Sequence, residues 1–172
     1  HFRAAAIIRS MSYDNLTAHK TESEIGWGVL ASATFNVMNR LQVYGQGVYG
    51  KGIGQFLNDM SLLNVDVVPN PEKEGKMQVL PMMGWFAGMQ YNFSPKVFIT
   101  STYGQSRLYS HDGYPATPSE QYRYGQYLNA TLFWNITSDL QVGAEYLRGW
   151  RTDFNGDTRH ANRMNLAVQY SF

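Results

Sequence analysis

The feature that most constrains this chain is a period-two alternation of apolar and small or polar residues that returns along nearly its whole length. From Gly26 to Val37, the residues Trp27, Val29, Ala31, Ala33, Phe35 and Val37 alternate with Gly26, Gly28, Leu30, Ser32, Thr34 and Asn36. Met83, Trp85, Ala87, Met89, Tyr91 and Phe93 alternate with Gly84, Phe86, Gly88, Gln90 and Asn92. Leu128 to Ile136 and Met164 to Phe172 repeat the pattern. Successive side chains of a strand point to opposite faces, so each segment reads as a strand with one apolar wall and one polar wall. The longest charge-free stretch, Met77 to Pro95, approaches the length of a membrane helix, but Pro81, Gly84, Gly88, Gln78, Gln90 and Asn92 exclude that reading.

Composition says what kind of strand protein this is. Only 16% of the 172 residues are charged while 15% are aromatic, and the mean hydropathy is −0.36. The polar wall is therefore built from Gly, Asn, Gln, Thr and Ser rather than from ions. A soluble antiparallel barrel or sandwich also alternates, but it turns its apolar wall inward and charges the outer one. The expected fold is all-β: an antiparallel up-and-down transmembrane β-barrel with about eight strands in this chain, near 2–13, 25–37, 41–50, 77–93, 97–107, 122–136, 140–151 and 160–172. Turns at 38–40, 94–96 and 138–139 alternate with longer connections at 14–24, 51–76, 108–121 and 152–159. Such alternation places turns and both chain ends at the periplasmic side of an outer membrane and the long connections outside. Outward aromatics gather toward both strand ends, with Phe35, Tyr91, Phe93, Trp134, Tyr170 and Phe172 on the turn side and Trp27, Tyr103, Tyr124 and Trp150 on the loop side. Rings of that kind sit at headgroup depth.

With parity set by the apolar residues, Arg3, Arg9, Arg123, Arg151 and Arg163 fall on the inner wall against Glu145. These six are the candidate pore-lining residues, and a wall with that excess raises the local concentration of anions. The competing reading is that the arginines pair with carboxylates from other strands or from loops, such as Glu22, Glu24 or Asp153. Whether the 51–76 connection, with Asp59, Asp66, Glu72 and Glu74, folds inward as a constriction or stays outside is open at this stage.

No catalytic, cofactor or metal site is expected. Gly45 to Gly50 fits G-x-G-x-x-G, with a helix-like Phe56 to Leu63 and an acid at Asp66, yet its neighbours are antiparallel-type strands and no second βαβ half exists. Asp153, Asn155 and Asp157 alternate as calcium ligands do, but the twelfth position is Met164. His19, His111 and His160 lack metal spacing, and no G-x-S-x-G occurs. The sequence has no cysteine, which removes disulfide and thiol chemistry, and its net charge of +1 carries no field for nucleic acid.

The segments Asn129 to Trp134, Leu140 to Tyr146 and Gly156 to Phe172, with Arg3 to Arg9 and Tyr49 to Gly54, resemble the DcaP-like trimeric porins of Gram-negative outer membranes, specifically the C-terminal half of their barrel. The resemblance implies a barrel of about sixteen strands, a homotrimer in outer-membrane lipid, and passive diffusion of small hydrophilic solutes with anionic, dicarboxylate-like ones favoured. Tyr170 and Phe172 are similar to the terminal signal read by the barrel-assembly machinery. Two other functions are carried forward: a complete eight-stranded barrel with a structural or adhesion role, and an outer-membrane enzyme.

Overall fold

Each alternating segment pairs with its neighbour in the sequence, so the chain forms a meander. A computed structural model describes residues 1–116 and 119–172. The elements are β1 (Phe2–Asn15), β2 (Lys20–Met38), β3 (Leu41–Lys51), a single 3₁₀ turn (Gly54–Phe56), β4 (Val67–Pro69), β5 (Met77–Val79), β6 (Pro81–Asn92), β7 (Val97–Leu108), β8 (Tyr122–Asn135), β9 (Leu140–Asp153) and β10 (Thr158–Tyr170). Eight of them form one antiparallel sheet in the order β1-β2-β3-β6-β7-β8-β9-β10, and β4 with β5 forms a separate ribbon. β1 and β10 do not pair with each other, so the sheet is open.

The register is oblique. One ladder row runs Phe2, Ala33, Gly45, Ala87, Tyr103, Leu128, Arg148, Asn162. It starts five residues before the end of β2 at Met38 and reaches β9 eight residues after Leu140. A constant stagger of this kind is what strands tilted about 35–45° to a barrel axis require.

Three connections differ from the expectation, each for a local reason. β1 and β2 stay paired out to Asn15 and Lys20, so the region expected as a loop over 14–24 is a projecting hairpin. Polar cross-strand pairs hold it, Tyr13 Oη donating to Glu22 at 2.9 Å and Thr21 Oγ1 to Asp14 at 2.9 Å. β9 and β10 likewise close through residues 154–157, so the long connections are 52–80 and 109–121. The stretch expected as one strand over 77–93 is two strands: β5 folds back on β4, and β6 begins at Pro81. Proline cannot donate to a ladder and is tolerated at a first strand position.

The two faces of the sheet are unlike. One bears segment 52–80, which lies across it as a strap. Ile53, Leu57, Met60, Val65, Val68 and Leu80 of the strap pack with Met82, Leu108 and Tyr122 in the main buried cluster. The opposite, bare face leaves Phe2, Ile8, Trp27, Val29, Phe35, Leu132, Trp134, Leu166 and Val168 exposed. Its apolar residues are thus outside, the reverse of a soluble sandwich.

Candidate functional site

Small residues make room for the strap. A Cβ at Gly84 would sit 2.5 Å from Leu57 Cδ2, and one at Gly28 would sit 3.0 Å from Ile53 Cγ2. The sheet therefore carries a shallow trough where the strap enters, and a larger residue at either glycine would displace it.

Two carboxylates fasten the strap at opposite sides of the sheet. Asp66 receives Arg9 of β1 at 2.8 Å and the backbone N–H of Gly54, while the same Arg9 nitrogen donates to Gly52 O at 2.9 Å. Asp59 accepts the hydroxyls of Ser106 on β7 and of Tyr122 and Tyr127 on β8. Between strap and sheet lies a space of about 660 Å³, lined in part by Gln46, Phe86, Thr102, Tyr127 and Asn129. Its walls mix amides and hydroxyls with aromatic and aliphatic groups.

The register puts Arg3, Arg9, Glu145, Arg151 and Arg163 on the strapped face, opposite Ser32, Gly26, Thr131, Gly125 and Leu147 respectively. Arg159, opposite Arg151, shares that face. Arg123 falls at the register shift between Tyr122 and Tyr124, where the ladder does not set its direction. Tyr122 takes the strapped-face position instead and pairs with Asp153. Two of the arginines are neutralised within the chain: Arg9 by Asp66, and Arg151 by Asp153, whose side chain is 1% exposed and 2.7 Å away. Arg3, Arg159 and Arg163 have no ion-pair partner among the described residues. Glu145 accepts from Asn129 Nδ2 at 3.2 Å, Thr131 Oγ1 at 3.1 Å and Asn165 Nδ2 at 2.7 Å, and Asn165 Oδ1 accepts Arg163 Nε at 2.8 Å. Tyr170 and Phe172 stack with centroids 6.5 Å apart. The anchoring set of Ser106, Tyr122 and Tyr127 carries no sequence motif; only the acid at Asp59 hinted at it.

Beyond the sheet, Lys76 ties the β4–β5 ribbon to the projecting hairpin through Glu22 at 2.6 Å. The hydrogen bonds of Lys76 first and Lys20 second hold the Glu22 carboxyl down at about 2. A carboxylate with a depressed folded value contributes above its ordinary pKa and loses that contribution as pH falls through the folded one. Lys76 is nearly half exposed and water screens the pair, so its effect on stability is small. In an NMR titration Glu22 is expected to inflect near 2. In Lys76→Gln the inflection moves toward 4.5, the ordinary value; no movement would mean that the pair does not form.

The enzyme-like motifs dissolve into strands and turns. Gly45 to Gly50 lies inside β3, between two antiparallel neighbours, and only a 3₁₀ turn at 54–56 stands where a helix was suggested. Asp153 is held by Arg151, and Asn155 donates to Asp157 at 2.8 Å. No cluster of three or more His, Cys, Asp or Glu side chains placed to hold a metal occurs among the described residues.

No protein-family model and no curated protein matches the chain. Among solved structures, the fold is similar to that of the outer membrane channel DcaP of Acinetobacter baumannii, with a TM-score of 0.78 at 22% sequence identity. The match covers 99% of this chain and 47% of that one, so the chain spans about half the length of the structure it resembles. The likeness is one of fold: an eight-stranded antiparallel sheet of the kind found in a porin wall.

Proposed function

We propose that this chain forms part of the wall of an outer-membrane channel through which small hydrophilic solutes diffuse, anionic ones preferentially. One observation carries the reading: the sheet exposes its aromatic and aliphatic face and turns a polar face, crossed by the strap, the other way. A contiguous apolar face of this extent needs a covering, and hydrocarbon edged by aromatic belts is the covering that period-two strands fit. The fold of the DcaP channel agrees with it.

In this reading the strapped face lines the water path and the strap narrows it. Arg3, Arg9, Arg151 and Arg163, with Glu145, are its lining residues, Arg123 being left out because Tyr122 takes its place on this face, and Arg9 and Arg151 act chiefly as internal partners of Asp66 and Asp153. The preference for anions rests on Arg3, Arg163 and Arg159, whose charges are unpaired among the described residues. A trimeric state and delivery by the barrel-assembly machinery through Tyr170 and Phe172 belong to the same reading. The alternative of a closed eight-stranded barrel needs β1 to pair with β10, and those edges do not pair here.

The test is reconstitution of the protein, extracted in detergent, into liposomes. Swelling in small sugars and faster swelling in dicarboxylates is the expected result. Correctly inserted protein that admits neither would defeat the channel reading.

A further inference from the structure

The bare face carries three cations that the lining of a channel does not use. Lys51, Arg107 and Arg148 lie on it by register, opposite Trp27, Tyr124 and Leu128. Arg107 stands ten residues beyond the start of β7 and Arg148 eight beyond the start of β9. At about 3.3 Å per residue and a tilt near 40°, they lie roughly 25 and 20 Å above the turn end, the loop-side edge of an apolar band about 25 Å tall.

Both guanidinium groups are set among aromatic rings. The Arg107 Cζ lies 5.2 Å from the Tyr109 centroid and 5.7 Å from that of Tyr124, and Arg148 Cζ lies 5.0 Å from that of Trp150. Neither forms an ion pair among the described residues, and the Nε of each is buried without a hydrogen-bond partner. Each guanidinium lies against one or two rings, and its terminal Nη atoms enter no hydrogen bond among the described residues. By register, Asp14 is the one acidic strand residue of this face among the described residues, and it accepts a hydrogen bond from Thr21 at the projecting hairpin.

We propose that Lys51, Arg107 and Arg148 form a row of sites for the phosphate groups of outer-leaflet lipid, an inference that rests on the membrane-wall reading above. The row follows alternate strands, β3, β7 and β9 being two apart in the sheet order; with the register offsets along the strands, its members lie roughly 12 Å (Lys51 to Arg107) and roughly 16 Å (Arg107 to Arg148) apart. Headgroup phosphates lie in one plane at this height, side by side, and match such a row. A guanidinium edge offers two parallel donors to a phosphate, and the aromatic stack fixes its orientation. At this height an arginine facing lipid costs little, a penalty that one charge-assisted contact outweighs.

The protein in neutral detergent is titrated with a phosphomonoester lipid, phosphatidic acid, and with phosphatidylcholine, and bound lipid is read by native mass spectrometry. Phosphatidic acid is expected to bind more tightly, with an affinity that falls as salt rises. Arg107→Gln and Arg148→Gln are each expected to weaken it about fivefold, from roughly 1 kcal/mol per cation at an anionic surface. Lys96→Gln, in a turn-side loop, leaves it unchanged. Equal affinity for the two lipids, or displacement of the lipid by inorganic phosphate at equal concentration, overturns the proposal; so does an Arg107→Gln variant that splits an oligomer while keeping its lipid. Salt dependence and lipid preference of the unmodified protein decide the matter if a variant fails to fold. Lipid preference without solute permeability would defeat the channel reading and keep the lipid row, and permeability without lipid preference would do the reverse.

Discussion

Met82→Ala is expected to free segment 52–80 from the sheet while leaving the sheet itself paired. Met82 is 0% exposed and sits among Leu80, Leu108, Ile53 and Met60, each at 1% or less. Truncating a buried methionine costs about 2–5 kcal/mol, because the lost methylenes leave a cavity that neighbours fill only in part. This cluster is small and joins the strap to β6, β7 and β8, so the loss falls on docking rather than on the ladders. Trypsin should then cut after Lys73 and Lys76 much faster than in the unmodified protein. Gly84→Val should act the same way from the opposite side, forcing Leu57 out of the trough at a cost of about 1–3 kcal/mol. If the strap narrows a channel, single-channel conductance rises in both variants. Faster cleavage with unchanged conductance would remove the strap's constricting role, and unchanged cleavage would show that the cluster does not hold it.

The sheet was legible because its strands are long, two-faced and nearly free of charge, so parity alone sorted Trp27 from Gly28 and Trp85 from Gly84. The strap's place was not legible. Its apolar residues, Ile53, Leu57, Met60, Val65 and Val68, follow no single period, and the glycines that receive it read equally well as lining for an open path. The arginine partners were half visible: Asp153, two residues from Arg151, was a named possibility, whereas the carboxylate that takes Arg9 is Asp66, far along the chain and inside the strap. A pairing that depends on how a long connection folds cannot be read from strand parity. Arg123 shows the other limit of parity, since one extra residue at the start of β8 shifts the count at the point where the sheet meets its loops. Residues 14–24 look like a loop in the sequence because polar strand residues resemble loop residues when their cross-strand partners are not in view.

Reversing two of the three free cations of the strapped face, Arg3→Glu with Arg163→Glu, is expected to turn anion preference into cation preference. The choice of residues follows from the pairing. Arg9 and Arg151 already face Asp66 and Asp153 within 2.8 Å, so a solute meets nearly neutral pairs there. Changing Arg9 would also unfasten the strap and confuse selectivity with pore width. Arg3 and Arg163 carry charge that no acid of the described residues answers, although Arg163 reaches Glu145 through Asn165. A unit charge about 4 Å from an ion in water contributes about 1 kcal/mol. Inverting its sign changes the ion's local free energy by about 2 kcal/mol, roughly thirtyfold in local concentration before screening. Reversal potentials across a tenfold salt gradient measure this directly: the unmodified protein should favour the anion and the double variant the cation, with the difference shrinking as total salt rises. Arg159, on the same face, would leave some residual attraction for anions, so the triple variant should go further. A reversal potential that stays put in both variants would place these residues away from the ion path and would leave the strapped face without its proposed part in selection.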